Sequence, residues 1–252
     1  MHIGLDGLPL TSQRTGVGHY TWELAVALAE LAQESEIELL YPSNYPPIAS
    51  TTTEDQHPNL RFTSVNVGPV GRHWWSTGLP GYLRKNKFDL FHGTNYDVPL
   101  WRRCATVLTI HDLSLILFPE THRKRSVSRA RRRLPLMAKT ADAIITPSKS
   151  VKQEVCEHLN VAVGKVFVVP EAARGSFRSV VPDETEAIRA RLNCGEEFLL
   201  AVGTIEPRKN LTVLLDAFEE LMQDPALKDL RLVIAGGRGW LTNPFFEKLA
   251  GS

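Results

Sequence analysis

The sequence predicts an α/β protein built from Rossmann-like units, and three observations carry that expectation. Short apolar runs of strand length recur along the chain, among them residues 2–8, 105–110 and 198–202. Between them lie segments whose apolar residues fall three and four positions apart, the spacing of an amphipathic helix. Glycine-rich or charged turns join strand to helix at residues 16–18 and 203–210, at the strand ends where open α/β sheets bind their ligands.

Composition narrows the class. The chain has 252 residues, enough for one large domain or two small ones, with ordinary apolar and charged fractions. A formal net charge of +1 gives no chain-wide reason to expect nucleic acid as a partner. Cys104, Cys156 and Cys194 are an odd set, far apart and without a C-x-x-C pair. That pattern argues against a zinc site or a disulfide framework and fits a reducing cytoplasm. The N-terminus lacks a basic region followed by an apolar one, and no apolar run reaches spanning length. The expected location is cytoplasmic, with peripheral membrane contact as an extension of it.

Taken in order, residues 2–8 read as a buried first strand. A polar loop follows, 9–18, with glycines at 16 and 18, and Tyr20, Leu24, Ala27, Leu28 and Leu31 then share a helix face. A nicotinamide fingerprint would need a third glycine where Thr21 stands, so an oxidoreductase reading is weak. Gly16 and Gly18 would still let backbone approach a ligand closely; a tight turn serving packing alone is the competing reading.

Residues 36–41 and 60–67 read as strands, with an exposed connection at 42–59 and a turn at 68–71. His73-Trp74-Trp75 opens a helix running towards Lys87, and the paired tryptophans read as packing, with an acceptor platform as the lesser alternative. Residues 88–95 and 105–110 are strands that end in polar groups, Phe91-His92-Gly93-Thr94-Asn95 and His111-Asp112-Leu113. A histidine at such a strand end can donate to a sugar hydroxyl or hold developing charge; a structural cap on the strand competes equally. There is no G-x-S-x-G elbow for a serine hydrolase and no D-x-D pair for a metal-bridged diphosphate.

Arg125, Arg129, Arg132 and Arg133 belong to a dense basic cluster on an expected helix. It reads either as a solvated face or as a patch for anionic lipid heads or a lipid-diphosphate acceptor. Residues 141–148 form a further strand, after which Ser148 caps a helix running through His158. Residues 165–170 are another strand, and 178–197 a polar linker with a short helix.

The most informative stretch is residues 198–210. An apolar strand ends at Gly203-Thr204, and Arg208 and Lys209 stand before a helix whose apolar face is Leu211, Leu214, Leu215, Phe218, Leu221 and Met222. Strand end, cationic pair and helix N-terminus together make a candidate anion site. A charged, solvated loop is the plain alternative. The last strand, 230–235, precedes one more helix starting near Thr242.

Val202-Gly203-Thr204-Ile205-Glu206-Pro207-Arg208-Lys209-Asn210 resembles the start of the donor domain in family-4 glycosyltransferases of the two-Rossmann-domain, GT-B type. Mannosyltransferases using nucleotide-diphosphate sugars are the nearest in pattern. Thr15-Gly16-Val17-Gly18-His19-Tyr20, Phe91-His92-Gly93-Thr94-Asn95-Tyr96, Thr109-Ile110-His111-Asp112-Leu113-Ser114 and Ile145-Thr146-Pro147-Ser148 extend the resemblance. It implies that Lys209, with Arg208, contacts the donor diphosphate, that Gly16 and Gly18 form a facing loop, and that His111 lies near the donor sugar with Asp112 beside it. Many members carry arginine where Thr204 stands, and the glycine usual after Pro170 is displaced here by Glu171-Ala172-Ala173.

The organisation so implied is an acceptor-side Rossmann-like domain over 1–172, a linker over 173–197, and the first part of a nucleotide-sugar domain over 198–252. The family's acidic motif, two glutamates eight positions apart that hold the donor's sugar and ribose, has no match, so the stretch reads as a truncated or split form. The expected activity is retaining transfer of a sugar, mannose foremost, from a nucleotide-diphosphate sugar to a glycan or lipid-linked acceptor. GDP-sugar is the favoured donor, and no separate cofactor or metal is expected. A non-catalytic acceptor- or membrane-binding module is the alternative.

Overall fold

A computed structural model describes residues 1–48, 57–67 and 73–251. The turn expected at residues 68–71 and part of the connection expected at 42–59 lie outside these. The chain divides into two units. The first is Met1–Leu113 with Arg131–Arg174, and the second is Ser114–Ala130 with Gly175–Ser252.

In the first unit, β1 (His2–Asp6) leads through a 3-10 turn at Leu8–Leu10 to α1 (Gly16–Leu31) and β2 (Glu36–Pro42). β3 (Leu60–Val65) follows, then a π-helical turn, Trp74–Gly78, that continues as α2 (Leu79–Lys85). β4 (Leu90–Gly93) and β5 (Ala105–Thr109) come next. The short α3 (Ser114–Leu117) opens the inserted segment of the second unit, and α4 (Lys124–Thr140) runs from that segment back into the first. The first unit closes with β6 (Ala143–Thr146), α5 (Lys149–Leu159) and β7 (Val166–Val168).

These seven strands form one sheet in the order β3-β2-β1-β4-β5-β6-β7, and every neighbouring pair is parallel. A parallel sheet is covered on both faces, so its central strands are apolar at successive positions rather than at alternate ones. β2 shows this: Leu39 and Leu40 are both fully buried, yet they point to opposite faces. Leu39 joins Leu5, Ile37 and the α1 alanines Ala25 and Ala29 in one core cluster. Leu40 joins Phe91, Trp74, Leu79 and Leu83 in the other. The tryptophan pair is therefore core: Trp74 is 5% exposed, and Trp75 sits edge-on to Phe91 at 6.3 Å between ring centroids.

Glu38 on β2 is an acidic residue buried in the first unit, 8% exposed. Glu38 is held by His2 Nε2 at 2.9 Å and by the Tyr82 hydroxyl at 2.9 Å. The Ser148 cap takes the expected form, its hydroxyl accepting the Val151 N–H at 3.2 Å at the start of α5.

The second unit carries α6 (Pro182–Leu192), β8 (Phe198–Val202), α7 (Leu211–Leu221), β9 (Arg231–Ala235) and α8 (Asn243–Gly251). β8 and β9 pair in parallel over five positions, and Leu215 of α7 and Phe245 of α8 are buried. Its inserted segment is anchored by Trp240, whose indole donates to the Thr121 carbonyl at 2.9 Å and stacks on His122. This small sheet departs from the rule that holds in the first unit: Leu200 and Val202 are 55% and 74% exposed.

Candidate functional site

In the first sheet, strand order runs outward from β1 in one direction and from β4 in the other. The pair β1/β4 is thus the topological switch point, beyond whose carboxyl ends open α/β sheets leave a ligand crevice. The chain brings polar groups to that place from four elements. β1 ends in Asp6, whose carboxyl accepts the Leu8 N–H at 3.1 Å. Asp6 is 2% exposed, and burial pushes its carboxyl up to about 8, with Asp97 adding to the rise. The side chain is therefore neutral through the acidic range.

α1 begins at Gly16, which makes Gly16 and Gly18 members of its first turn and not of the preceding loop. Thr15, at the cap position, makes no side-chain bond to the first-turn amides. A methyl at Gly16 would meet nothing within 4 Å, whereas one at Gly18 would come 2.9 Å from the Pro9 carbonyl. Space is open around Gly16, whereas Gly18 is required by packing. Thr21, where a nicotinamide fingerprint would have glycine, is fully buried and donates to the Thr94 hydroxyl at 2.8 Å.

β4 exits through Gly93, where a Cβ would stand 2.0 Å from the Asp97 carbonyl. No side chain fits that close approach, and the turn continues through Tyr96 at φ 64°. Thr94 then ties the strand ends together, donating to the Asp6 carbonyl at 3.2 Å. β5 ends in Thr109, whose hydroxyl lies 2.8 Å from His92 Nε2 and 3.0 Å from the Tyr20 hydroxyl. His92 is 5% exposed, and burial lowers its imidazole to about 4, with His111 adding to the fall. Tyr20 is raised by burial and keeps its proton.

His111 follows directly. Its Nε2 lies 2.8 Å from the Thr94 carbonyl and its Nδ1 2.9 Å from Glu171 Oε1. Tyr20 and Tyr96 flank the ring edge-on, with centroids 4.9 and 5.9 Å away. The Asp112 amide donates to the Tyr96 hydroxyl at 3.1 Å. Three residues beyond Glu171, Arg174 reaches His19 Nδ1 at 3.1 Å. Desolvation, Arg174 and Arg14 together lower the His19 imidazole.

The second unit has its own strand-end site. Gly203 closes β8 at φ 145°, and a Cβ on Gly236 would stand 1.8 Å from its carbonyl, so the exits of β8 and β9 touch backbone to backbone. A single 3-10 turn, Pro207–Lys209, presents the two cations, and Asn210 in the left-handed region starts α7. They are not equivalent. Arg208 is ion-paired at 2.7 Å with Glu206, which is 5% exposed. Lys209 is exposed, and its stem passes 3.6 Å from the place a Cβ would take on Gly203. Beside the turn, Ile205, Glu206, Asn210, Leu211, Thr242 and Phe245 help line a cavity of about 160 Å³. Thr204 supplies no charge.

Of the remaining sequence candidates, Arg125, Arg129 and Arg132 are exposed on α4, whereas Arg133 turns to Asp97 at 2.7 Å. No group of three or more potential metal ligands occurs among the described residues. Likewise, no helix among them is long and apolar enough to cross a membrane. Sequence reasoning had placed Gly16, Gly18, His111 and Asp112 at strand ends. It did not assign Glu171, Arg174 or Tyr20 to the site: Tyr20 read only as part of a helix face, and Glu171 and Arg174 come from a distant part of the chain.

A doubly wound parallel sheet, followed by the start of a second strand–turn–helix unit with a lysine at its first strand end, defines a GT-B fold. The crystal structure of HepE from Anabaena in complex with UDP-glucose shares this fold at a TM-score of 0.64 and 17% identity, over 99% of this chain and 64% of that one. The chain belongs to Glycosyltransferase Family 4, which matches residues 14–173. Among curated relatives, the O-antigen chain mannosyltransferase B of Escherichia coli is 25% identical over 248 residues, 92% of this chain and 63% of the relative. A D-inositol 3-phosphate glycosyltransferase of Streptosporangium roseum is 25% identical over 94% of this chain and 59% of its own length. The chain thus spans less than two thirds of either relative.

Proposed function

We propose that this chain carries the acceptor half and the opening of the donor half of a retaining glycosyltransferase. It would move a sugar, mannose foremost, from a nucleotide-diphosphate sugar to a hydroxyl of a glycan or lipid-linked acceptor. The observation that carries the reading is His111, seated at the carboxyl end of β5 beside the switch point with both ring nitrogens engaged. The mannosyltransferase among the relatives supports the choice of sugar, and a GDP-sugar is the donor proposed. HepE was seen with UDP-glucose, so UDP-sugars remain the comparison donors.

The chemical demand of such a reaction is a diphosphate leaving group that gains negative charge as the glycosidic bond to it breaks. Fixed positive charge and helix N-termini meet that demand without a metal. Lys209 is the cation assigned to the diphosphate in the second unit, with Thr204 beside it. Arg208 supports the turn by holding Glu206 and lends its charge. In the first unit the amides at Gly16 and Gly18 are assigned to an anionic group of the substrate, His111 to the reacting sugar, and Asp112 is its neighbour. Arg125, Arg129 and Arg132 are assigned to contact with an acceptor's anionic head or the inner face of a membrane, as a peripheral cytoplasmic protein would make.

A second reading has its own support: a non-catalytic acceptor- or membrane-binding module. The exposed side chains of Leu200 and Val202 favour it. Incubation with GDP-mannose or a UDP-sugar and a lipid-linked glycan acceptor separates the two. The enzyme reading expects a product whose anomeric configuration matches the donor. Vesicle or acceptor binding without transfer would leave the module.

A further inference from the structure

His111 is the only group at the switch point whose two polar atoms are both taken by acceptors among the contacts described here. One acceptor is a backbone carbonyl, that of Thr94, which has no hydrogen to give, so Nε2 donates. The other is the Glu171 carboxylate, 2.9 Å from Nδ1. A neutral imidazole carries one N–H. With that hydrogen on Nε2, Nδ1 would turn a lone pair towards a carboxylate oxygen, a repulsive contact at this distance. The two contacts are attractive together only when both ring nitrogens carry hydrogen.

The surroundings fix the ring in that arrangement. Its side chain is 12% exposed and is walled by Tyr20 and Tyr96. Glu171 is 48% exposed, so it approaches from the solvent side, as the outermost member of the set. The segment that delivers it is tethered on both sides: Val169 donates its N–H to the Thr146 carbonyl at 2.9 Å, and Arg174 meets His19. Nothing in the local sequence requires glutamate at 171, which follows Pro170 beyond the end of β7.

We propose that Glu171 is a positioning residue for His111, holding a hydrogen on Nδ1 and fixing the ring at the carboxyl end of β5. The proposal rests on the assignment of His111 to the reacting sugar, and it narrows what His111 does there. With both N–H groups engaged, the ring offers no spare donor to a sugar hydroxyl. It offers positive charge, which stabilises negative charge developing nearby. A glutamine at 171 keeps the size of the side chain but can turn its NH₂ towards a bare Nδ1, so the ring keeps its place and loses its charge.

The test is nitrogen-15 spectroscopy of the histidine rings in the full chain, with the His111 signals assigned by their loss in His111→Gln. Wild type should show hydrogen on both nitrogens of His111. Glu171→Gln should show hydrogen on Nε2 alone, with the ring still in contact with Tyr20 and Tyr96. Glu171→Ala should show the same bare Nδ1 and lose those contacts. A wild-type ring with bare Nδ1, or one unchanged by Glu171→Gln, overturns the proposal. This readout needs no donor, so absence of sugar transfer with the expected spectra defeats the enzyme reading alone. Where transfer is measurable, Glu171→Gln should lower kcat at least about 10-fold with KM unchanged, and an unchanged kcat overturns the positioning role.

Discussion

The Nε2 atom of His111 lies 2.8 Å from the carbonyl oxygen of Thr94, which joins the exit of β5 to the exit of β4 through one hydrogen bond. Thr94 in turn donates to the Asp6 carbonyl at the end of β1 and receives the Thr21 hydroxyl from α1. A single chain of polar contacts therefore runs across the switch point. Replacing His111 by alanine removes the only side chain in that chain assigned to substrate. We expect turnover to fall about 100-fold or more, as for other groups aimed at developing charge, with a cooperative unfolding transition retained. Steady-state transfer kinetics beside a thermal melt separate the two effects.

Asp6 makes stability depend on pH in a direction opposite to most carboxylates. Its folded value is raised to about 8 from 3.8, so the folded state holds a proton that the unfolded chain has released. The contribution is complete below the unfolded value, shrinks as pH rises, and is exhausted above about 8. His92, lowered from 6.5 to about 4, acts in the opposite direction between those two values. Above pH 6.5 only Asp6 of this pair still titrates. From pH 6.5 to 8 wild type should lose roughly 1–2 kcal/mol that Asp6→Asn does not lose. Denaturant melts of both proteins across that range check this, and parallel pH profiles would contradict it.

Gly93 is the most constrained small residue in the first unit. A methyl there collides with the Asp97 carbonyl at 2.0 Å, and that oxygen belongs to backbone, which cannot swing away. Gly93→Ala should destabilise by at least about 1–3 kcal/mol, the usual cost of overpacking. Gly16→Ala, with open space around it, should leave the melting temperature within a degree or two while weakening anion binding at the helix mouth. Differential scanning calorimetry of the two variants tests the contrast.

Much of this architecture is legible in the residues themselves. Consecutive apolar positions such as Leu39 and Leu40 announce strands buried on both faces, and Ser148 announces the start of α5. His111 and Lys209 stand out because strand ends of this kind are where charge is useful. The start of α1 was displaced: Gly16 and Gly18 read as loop, but with Thr15 extended before them they form its first turn. Arg133 was grouped with the exposed arginines, and only folding shows that Asp97, 36 positions away, claims it. Glu171 lies 60 residues from His111, and no local periodicity encodes a pairing of that span.

The two neighbouring cations of the second unit should behave differently. Arg208→Ala strips the partner from a carboxylate that is 5% exposed, and we expect a loss of about 1–3 kcal/mol in stability. Lys209→Ala touches no ion pair described here and should leave the melt nearly unchanged. Urea unfolding of both variants, followed by far-UV circular dichroism, decides between equal and unequal roles.

The most direct measurement is calorimetric titration of the purified chain with GDP, GDP-mannose, UDP and UDP-glucose, repeated on Lys209→Ala. We expect saturable binding, tighter for the GDP ligands, weakened about 10- to 100-fold in the variant, the scale of one lost charge-assisted hydrogen bond. A folded wild-type chain that binds none of the four, or binds them equally well without Lys209, would contradict the assignment of this lysine to a nucleotide-sugar diphosphate.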